Sequence, residues 1–212
     1  IMSDLGAVVI KVEPLTGDPH RNRGTVMPNE GKRFQSLNRG KQSVAVNLRD
    51  PRGLAFIHKV VPTVDIVTIN FRPGVSKRLG IDYEALSADN PGLIYASISG
   101  FGQDGPYADK PGYASVCEGI GGLRYVNGFP GERPVRPNLS LGDTIAGLHA
   151  ALGILLALFE RQNSQQGQVV DVALYESVFN LLEGVIPEFD GAGVIREPAG
   201  STVTGIVPTN TY

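Results

Sequence analysis

A single cysteine, Cys117, in 212 residues excludes an internal disulfide framework and fits a reducing compartment. As the one thiol in an ordinary stretch it is expected to be a small buried filler rather than a reactive group. Histidine is nearly as scarce. His20, His58 and His149 lie far apart, and none stands at ligand spacing from a cysteine or carboxylate, so no metal site is expected. No charge of one sign dominates either. Nineteen basic residues against twenty-one acidic give a net charge of −2, which argues against a nucleic-acid binder or a membrane-surface protein. Long apolar runs are missing too. The longest, Ile145 to Phe159, is interrupted by His149 and bounded by Asp143 and by Glu160 and Arg161, which suits a buried core helix better than a membrane span. No secretory signal is visible, and the expected location is the cytoplasm. The chain opens Ile1-Met2-Ser3-Asp4 already inside a pattern and stops at Asn210-Thr211-Tyr212 without a capping element, so it is expected to be a piece of a longer protein.

What is present is an alternation of strand and helix signals. Residues 3–6 suggest a helical turn ending on glycine, followed by a strand over 7–13 closed by Pro14. Residues 14–36, rich in Gly, Pro, Asn and Arg, predict a long loop. Further strands are expected over 43–48, 65–71, 93–99 and 168–173. Asp50-Pro51 signals a helix start as N-cap and first turn, running to about Val61. Short helices follow Pro73 and Asp82, a helical segment follows Tyr113, a main core helix spans 144–161, and another helix runs from Leu174 to Leu182. Apolar strands between helices imply an α/β fold, a Rossmann-like, mostly parallel sheet with helices on both faces. Ligands then bind outside the carboxyl ends of the strands, at the loops 70–74 and 100–105 and after Glu13.

Gly100-Phe101-Gly102-Gln103-Asp104-Gly105 matches G-x-G-x-x-G, but Pro106 and Lys110-Pro111-Gly112 follow it. That is loop chemistry, whereas a dinucleotide fingerprint must open a helix. Arg33, Arg39, Lys41 and Arg49 form one basic cluster, and Arg72, Lys77 and Arg78 another. A solvated face explains each residue singly, while phosphates of a small ligand suit them as a group. His149 on an apolar helix reads as a core histidine, and no G-x-S-x-G elbow supports a serine triad. Asp143 stands in Leu141-Gly142-Asp143-Thr144, directly before the apolar run. A carboxylate there is either a helix N-cap or a nucleophile kept ionised by the helix dipole, and its position alone leaves both open.

The neighbours are more specific. Asp4-Leu5-Gly6-Ala7 with Val9-Ile10-Lys11-Val12-Glu13, Leu37-Asn38-Arg39-Gly40-Lys41, Asn70-Phe71-Arg72-Pro73-Gly74, Ile98-Ser99-Gly100-Phe101-Gly102, Pro111-Gly112-Tyr113, Gly142-Asp143 and Gly167-Gln168-Val169-Val170-Asp171-Val172 occur in this order across nearly the whole chain. Together they resemble the family III CoA-transferases, the CaiB/BaiF family. The resemblance implies an acyl-CoA:carboxylate CoA-transferase in which Asp143 is the nucleophile and carries an aspartyl–CoA thioester, with Tyr113 beside the acyl group. It implies CoA contacts at Val46, Arg49, Asn70, Phe71, Val75, Arg78, Gly100 and Gly102. The substrates would be an acyl-CoA and a carboxylic acid acceptor, with no metal or redox cofactor. A second branch of the same family, the 2-methylacyl-CoA racemases, uses a histidine where this chain has Tyr113. A tyrosine titrating at about 10 is a poor base at neutral pH, which favours transfer. Ala114 stands where some oxalate- and formate-specific members carry glutamate. The sequence around it looks more like members acting on dicarboxylic acids such as succinate, malate or mesaconate. By the same resemblance residues 1–184 are expected to be the large α/β domain lacking its first strand, and 185–212 a linker toward a second, smaller domain. The full-length protein would be an interlocked homodimer and this piece alone inactive. A non-catalytic CoA-binding fragment is the alternative from another class.

Overall fold

The structure is a computed structural model that describes residues 1–24, 26–27 and 30–210. Thr25, Pro28 and Asn29 of the expected 14–36 loop, and Thr211 and Tyr212 of the expected linker, lie outside the described residues. The chain divides into two compact units, Ile1–Asp65 with Ser76–Leu93 and Ile66–Val75 with Ile94–Tyr212.

In the first unit a 3-10 turn, Ser3–Leu5, ends on Gly6 at φ 99°, a left-handed conformation that glycine adopts without a Cβ penalty. Strand β1 (Ile10–Glu13) pairs in parallel with β4 (Gln42–Ala45), Lys11 opposite Ser43 and Glu13 opposite Ala45. The segment between them is more ordered than its composition suggests. It carries a 3-10 helix (Pro19–Asn22) capped by Asp18, a two-residue antiparallel ribbon of β2 (Val26–Met27) and β3 (Glu30–Gly31), and helix α1 (Lys32–Asn38). The loop expectation over 14–36 is corrected accordingly. Gly, Pro and Asn count against regular structure in a composition reading, yet α1 forms by burying Phe34 under the Arg21 guanidinium, 4.0 Å from the ring centre. Helix α2 (Pro51–Val60) starts as expected: the Asp50 carboxylate accepts from the Arg52 N–H, and Pro51 fills the first position, where no N–H is needed. Helices α3 (Val75–Leu79) and α4 (Tyr83–Asp89) follow, with Leu86 and Leu93 fully buried.

The second unit is built on a three-stranded parallel sheet in the order β5 (Ile66–Ile69), β6 (Ile94–Ser99), β7 (Gln168–Ala173), with Ile69 opposite Ser97 and Ser99 opposite Ala173. Ile94, Tyr95, Ala96 and Ser97 are all buried, as a central parallel strand covered on both faces requires. Helices α5 (Ala114–Ile120), α6 (Leu123–Val126), α7 (Leu141–Ser164), α8 (Leu174–Phe179) and α9 (Val185–Ala192) complete the unit. The fold is thus α/β with parallel sheets, the parallel strands falling into two sheets rather than one. The core gathers Phe101, Ala114, Cys117, Ala146, Ala150, Val172 and Leu174.

Helix α7 is 24 residues long, longer than the apolar run that announced it, and is long and apolar enough to cross a membrane by length and composition. One face carries Ile145, Ala146, Ala150, Ile154 and Ala157 into the unit's interior. Leu148, Leu152, Leu155, Leu156 and Phe159 occupy another face and stay about half exposed or more. His149 lies between the two faces, half-buried.

Candidate active site

The site is assembled at the start of α7. Its N-cap is Ser140 and its first residues are Leu141 and Gly142, so Asp143 is the third residue of the helix. This corrects the reading of Asp143 as the cap, because the helix begins at Leu141, four residues before the apolar run. The Ser140 side chain makes no capping bond. Part of that duty falls to a residue the sequence did not single out, Glu118 of α5, whose Oε1 accepts from the Gly142 N–H at 3.2 Å. Asp143 is left exposed in the first turn. There the positive end of the backbone dipole stabilises negative charge by roughly 0.3–1 kcal/mol.

Glu118 is fully buried, and a buried carboxylate needs counter-charge. Two arginines supply it. Arg136 Nε stands 3.2 Å from Oε2 and its Nη2 donates to Oε1 at 3.2 Å, while Arg124 Nε is 3.8 Å from Oε2. Arg136 also donates to the Leu139 carbonyl at 3.1 Å, and Arg124 to the Ser115 hydroxyl at 2.7 Å. A signal for Glu118 existed. With Ala114 and Cys117 it falls at i, i+3 and i+4 of one buried helix face, where a lone charge demands partners.

Tyr113 is the N-cap residue of α5, with its ring 73% exposed. The first turns of α5 and α7 abut at a glycine: a Cβ on Gly142 would lie 3.6 Å from the Ala114 Cα and 3.4 Å from both Glu118 Cγ and Val178 Cγ2. Tyr113 and Asp143 therefore sit at two neighbouring helix starts. The glycine-rich loop reaches the same place. A Cβ on Gly100 would fall 2.5 Å from the Gly112 Cα, so the backbone after β6 crosses the backbone before Tyr113 with no side chain between them. No helix opens in that loop, in line with its reading as something other than a dinucleotide fingerprint. Gly102, at φ 86°, is buried beside Asp171, whose Oδ2 accepts from the Gln103 N–H at 2.8 Å. Burial raises the Asp171 carboxyl above its ordinary value, and that hydrogen bond partly opposes the rise. Cys117 is fully buried, as expected for a filler, and donates to the Gly100 carbonyl at 3.3 Å. Burial first, then the charges of Asp143 and Glu118, push its thiol up to about 11.

The other expected contacts distribute as follows. Asn70 and Phe71 follow the carboxyl end of β5, and Gly100 and Gly102 that of the adjacent β6. Val75 opens α3, and Arg78 lies exposed in its last turn. Val46, half-buried, extends the β1–β4 ladder by donating to the Glu13 carbonyl at 2.8 Å, and Arg49 is exposed beyond it. Of the first basic cluster, Arg33 and Arg49 are exposed. Arg39 and Lys41 line a cavity of about 340 Å³ with Lys11, Glu13 and Arg21. Its charges are largely met internally: Arg39 pairs with Asp4, Lys11 with Asp18 and Arg21 with Glu13. Arg21, the Ser43 hydroxyl and the Asp18 N–H together hold the buried Glu13 carboxyl down at about 2. Among the described residues no group of three or more His, Cys, Asp or Glu is placed to hold a metal ion.

The sequence matches CoA-transferase family III over residues 1–212. The chain belongs to this family. It is 46% identical over its full length to the succinyl-CoA–D-citramalate CoA-transferase of Chloroflexus aurantiacus, covering 53% of that protein. It is 38% identical to the acetyl-CoA:oxalate CoA-transferase of Acetobacter aceti, covering all of this chain and 55% of that one. Among solved structures, a CaiB/BaiF family protein from Brucella suis superposes with a TM-score of 0.93 at 34% identity, over 99% of this chain and 57% of that one. The chain spans about half the length of the curated relatives it matches.

Proposed function

We propose that this chain is the nucleophile-bearing part of an enzyme that moves CoA between carboxylic acids. The observation that carries the reading is Asp143: an exposed carboxylate in the first turn of α7, with part of that turn's capping met by Glu118, beside a helix start that presents Tyr113. In the proposed sequence an Asp143 oxygen attacks the acyl-CoA thioester carbonyl, and the C–S bond breaks to give a mixed anhydride and CoA thiolate. The thiolate attacks the aspartyl carbonyl, releasing the donor acid and leaving an aspartyl–CoA thioester. The acceptor carboxylate then attacks that thioester, and the thiolate returns to the acceptor's acyl carbon, regenerating Asp143. One acyl exchange becomes several covalent steps of lower barrier. Backbone N–H groups at the two helix starts suit the developing oxyanions.

For substrates we propose succinyl-CoA as donor and a C4 or C5 dicarboxylic acid as acceptor. The support is the naming of relatives at 46% and 42% identity for citramalate and malate transfer, together with Ala114 following Tyr113. The CoA contacts proposed from the family resemblance are Val46, Arg49, Asn70, Phe71, Val75, Arg78, Gly100 and Gly102. The full-length protein is proposed to be cytoplasmic and homodimeric. Hydroxylamine trapping with succinyl-CoA, followed by peptide mass spectrometry of the full-length protein, tests the mechanism. A hydroxamate on Asp143 is expected, and Asp143→Ala should abolish exchange while CoA still binds. Exchange surviving in Asp143→Ala would refute the covalent mechanism.

A further inference from the structure

Glu118 touches no position assigned to substrate, yet it holds the segment that delivers Asp143 from both sides. Its Oε1 takes the Gly142 N–H, one residue before the nucleophile. The same oxygen accepts from Arg136 Nη2, which in turn holds the Leu139 carbonyl, just before the helix cap. Through Arg124 and Ser115 the same carboxylate is tied to the first turn of α5, directly after Tyr113. We infer that Glu118 is a positioning residue for the transfer reaction, fixing the starts of α5 and α7 relative to each other so that the Asp143 carboxylate is held in position to add to the thioester carbonyl carbon. The inference rests on Asp143 being the nucleophile.

Three features favour this over a purely structural ion cluster. The carboxylate is fully buried although it lies one helical turn from an exposed site. It accepts from the Gly142 N–H directly, and the Arg136 side chain bonded to it donates to the Leu139 carbonyl, so this small network ends on backbone at both sides of the α7 start. And Gly142 is buried where the two helix starts come together, a Cβ there falling 3.6 Å from the Ala114 Cα and 3.4 Å from Glu118 Cγ, so in close-packed surroundings a shift of one helix start is felt by the other. A displacement of about 1 Å at a reacting group costs about 100-fold in rate, which sets the expected scale.

The test compares Glu118→Ala and Glu118→Gln with wild type in the full-length protein, using succinyl-CoA turnover and hydroxylamine trapping. Glu118→Ala should lower kcat about 100-fold with little change in KM for succinyl-CoA. The glutamine variant should recover part of that loss, because its amide oxygen still accepts from the Gly142 N–H. If the alanine variant does not fold, Glu118→Gln and Arg136→Gln make the same comparison, each removing one side of the clamp. A variant that melts earlier yet labels Asp143 at the wild-type rate would overturn the positioning role. Wild-type labelling at a residue other than Asp143 would instead overturn the nucleophile assignment, so the two failures are distinct.

Discussion

Replacing Gly100 by alanine adds one methyl group, and the surrounding geometry says that group cannot be accommodated. The new Cβ would sit 2.5 Å from the Gly112 Cα, 2.7 Å from its carbonyl oxygen and 2.9 Å from its carbonyl carbon. Every obstructing atom is backbone, so no rotamer change relieves the clash and one strand of the crossing must move. Overpacking a filled site costs about 1–3 kcal/mol, and a backbone obstruction belongs at the upper end. At about 2–4 °C per kcal/mol for a chain of this size, a loss of about 3 kcal/mol lowers the melting temperature by roughly 6–12 °C. The displaced strand leads directly into Tyr113, so transfer activity should fall more steeply than stability. Gly112→Ala should behave alike, its Cβ meeting the Gly100 Cα at 2.7 Å and the Phe101 ring at 2.9 Å. Gly147→Ala is the matched control. It lies within α7 and its Cβ would meet nothing within 4 Å, so removing backbone freedom should stabilise by about 0.5–1 kcal/mol. Thermal melts of the three variants decide the matter. Gly100→Ala melting with wild type would refute the close crossing and the packing argument built on it.

The Glu13 carboxyl is held at about 2 against an ordinary 4.5, chiefly by Arg21. A depressed carboxyl contributes stability that is complete above pH 4.5 and is lost as pH falls toward 2, here about 3 kcal/mol. Denaturant melts between pH 5 and pH 2 should register that loss in wild type, and Glu13→Gln should flatten the dependence; an unchanged slope would contradict it. The Cys117 thiol, pushed up to about 11, should react with a thiol reagent at pH 8 at least about 100-fold more slowly than in unfolded protein, and rapid native labelling would contradict its burial. The exposed face of α7 should drive self-association, so Leu152→Glu with Leu156→Glu should shift sedimentation toward smaller species; an unchanged profile would argue that the face is inert.

Local punctuation made much of this fold legible in the sequence. Gly6 ending the first turn, Asp50-Pro51 opening α2 and the apolar runs of β6 and β7 appear where they were expected, because each signal acts through its own backbone and needs no distant partner. Helix α1 was not legible. It exists by tertiary contact, Phe34 packed beneath Arg21, and that pairing joins residues thirteen apart across a stretch of unfavourable composition. At the site, Asp143 and Tyr113 stood out through family motifs, and the structure adds that their helices start side by side at Gly142. Glu118, Arg124 and Arg136 were missed for a physical reason. A charge in a sequence is by default a solvated surface group, and only burial converts it into a clamp.

That conversion separates the two roles that the position of Asp143 had left open, cap and nucleophile. Had the aspartate been the cap, its removal would cost the usual 1 kcal/mol or so of a lost N-cap and mix stability with chemistry. The observed arrangement predicts a different ordering. Asp143→Ala gives up the dipole interaction of an exposed acid in a first turn, roughly 0.3–1 kcal/mol. Glu118→Ala leaves the buried Gly142 N–H without its acceptor, a loss of about 1–3 kcal/mol, to which the lost pairing with the partly exposed Arg124 and Arg136 adds. Chemical denaturation of the two variants side by side should therefore find Glu118→Ala the less stable, although Asp143→Ala is the one expected to lose exchange completely. Equal destabilisation, or the reverse order, would mean that Asp143 supports the helix start after all, and the division of labour between cap and nucleophile would fall with it.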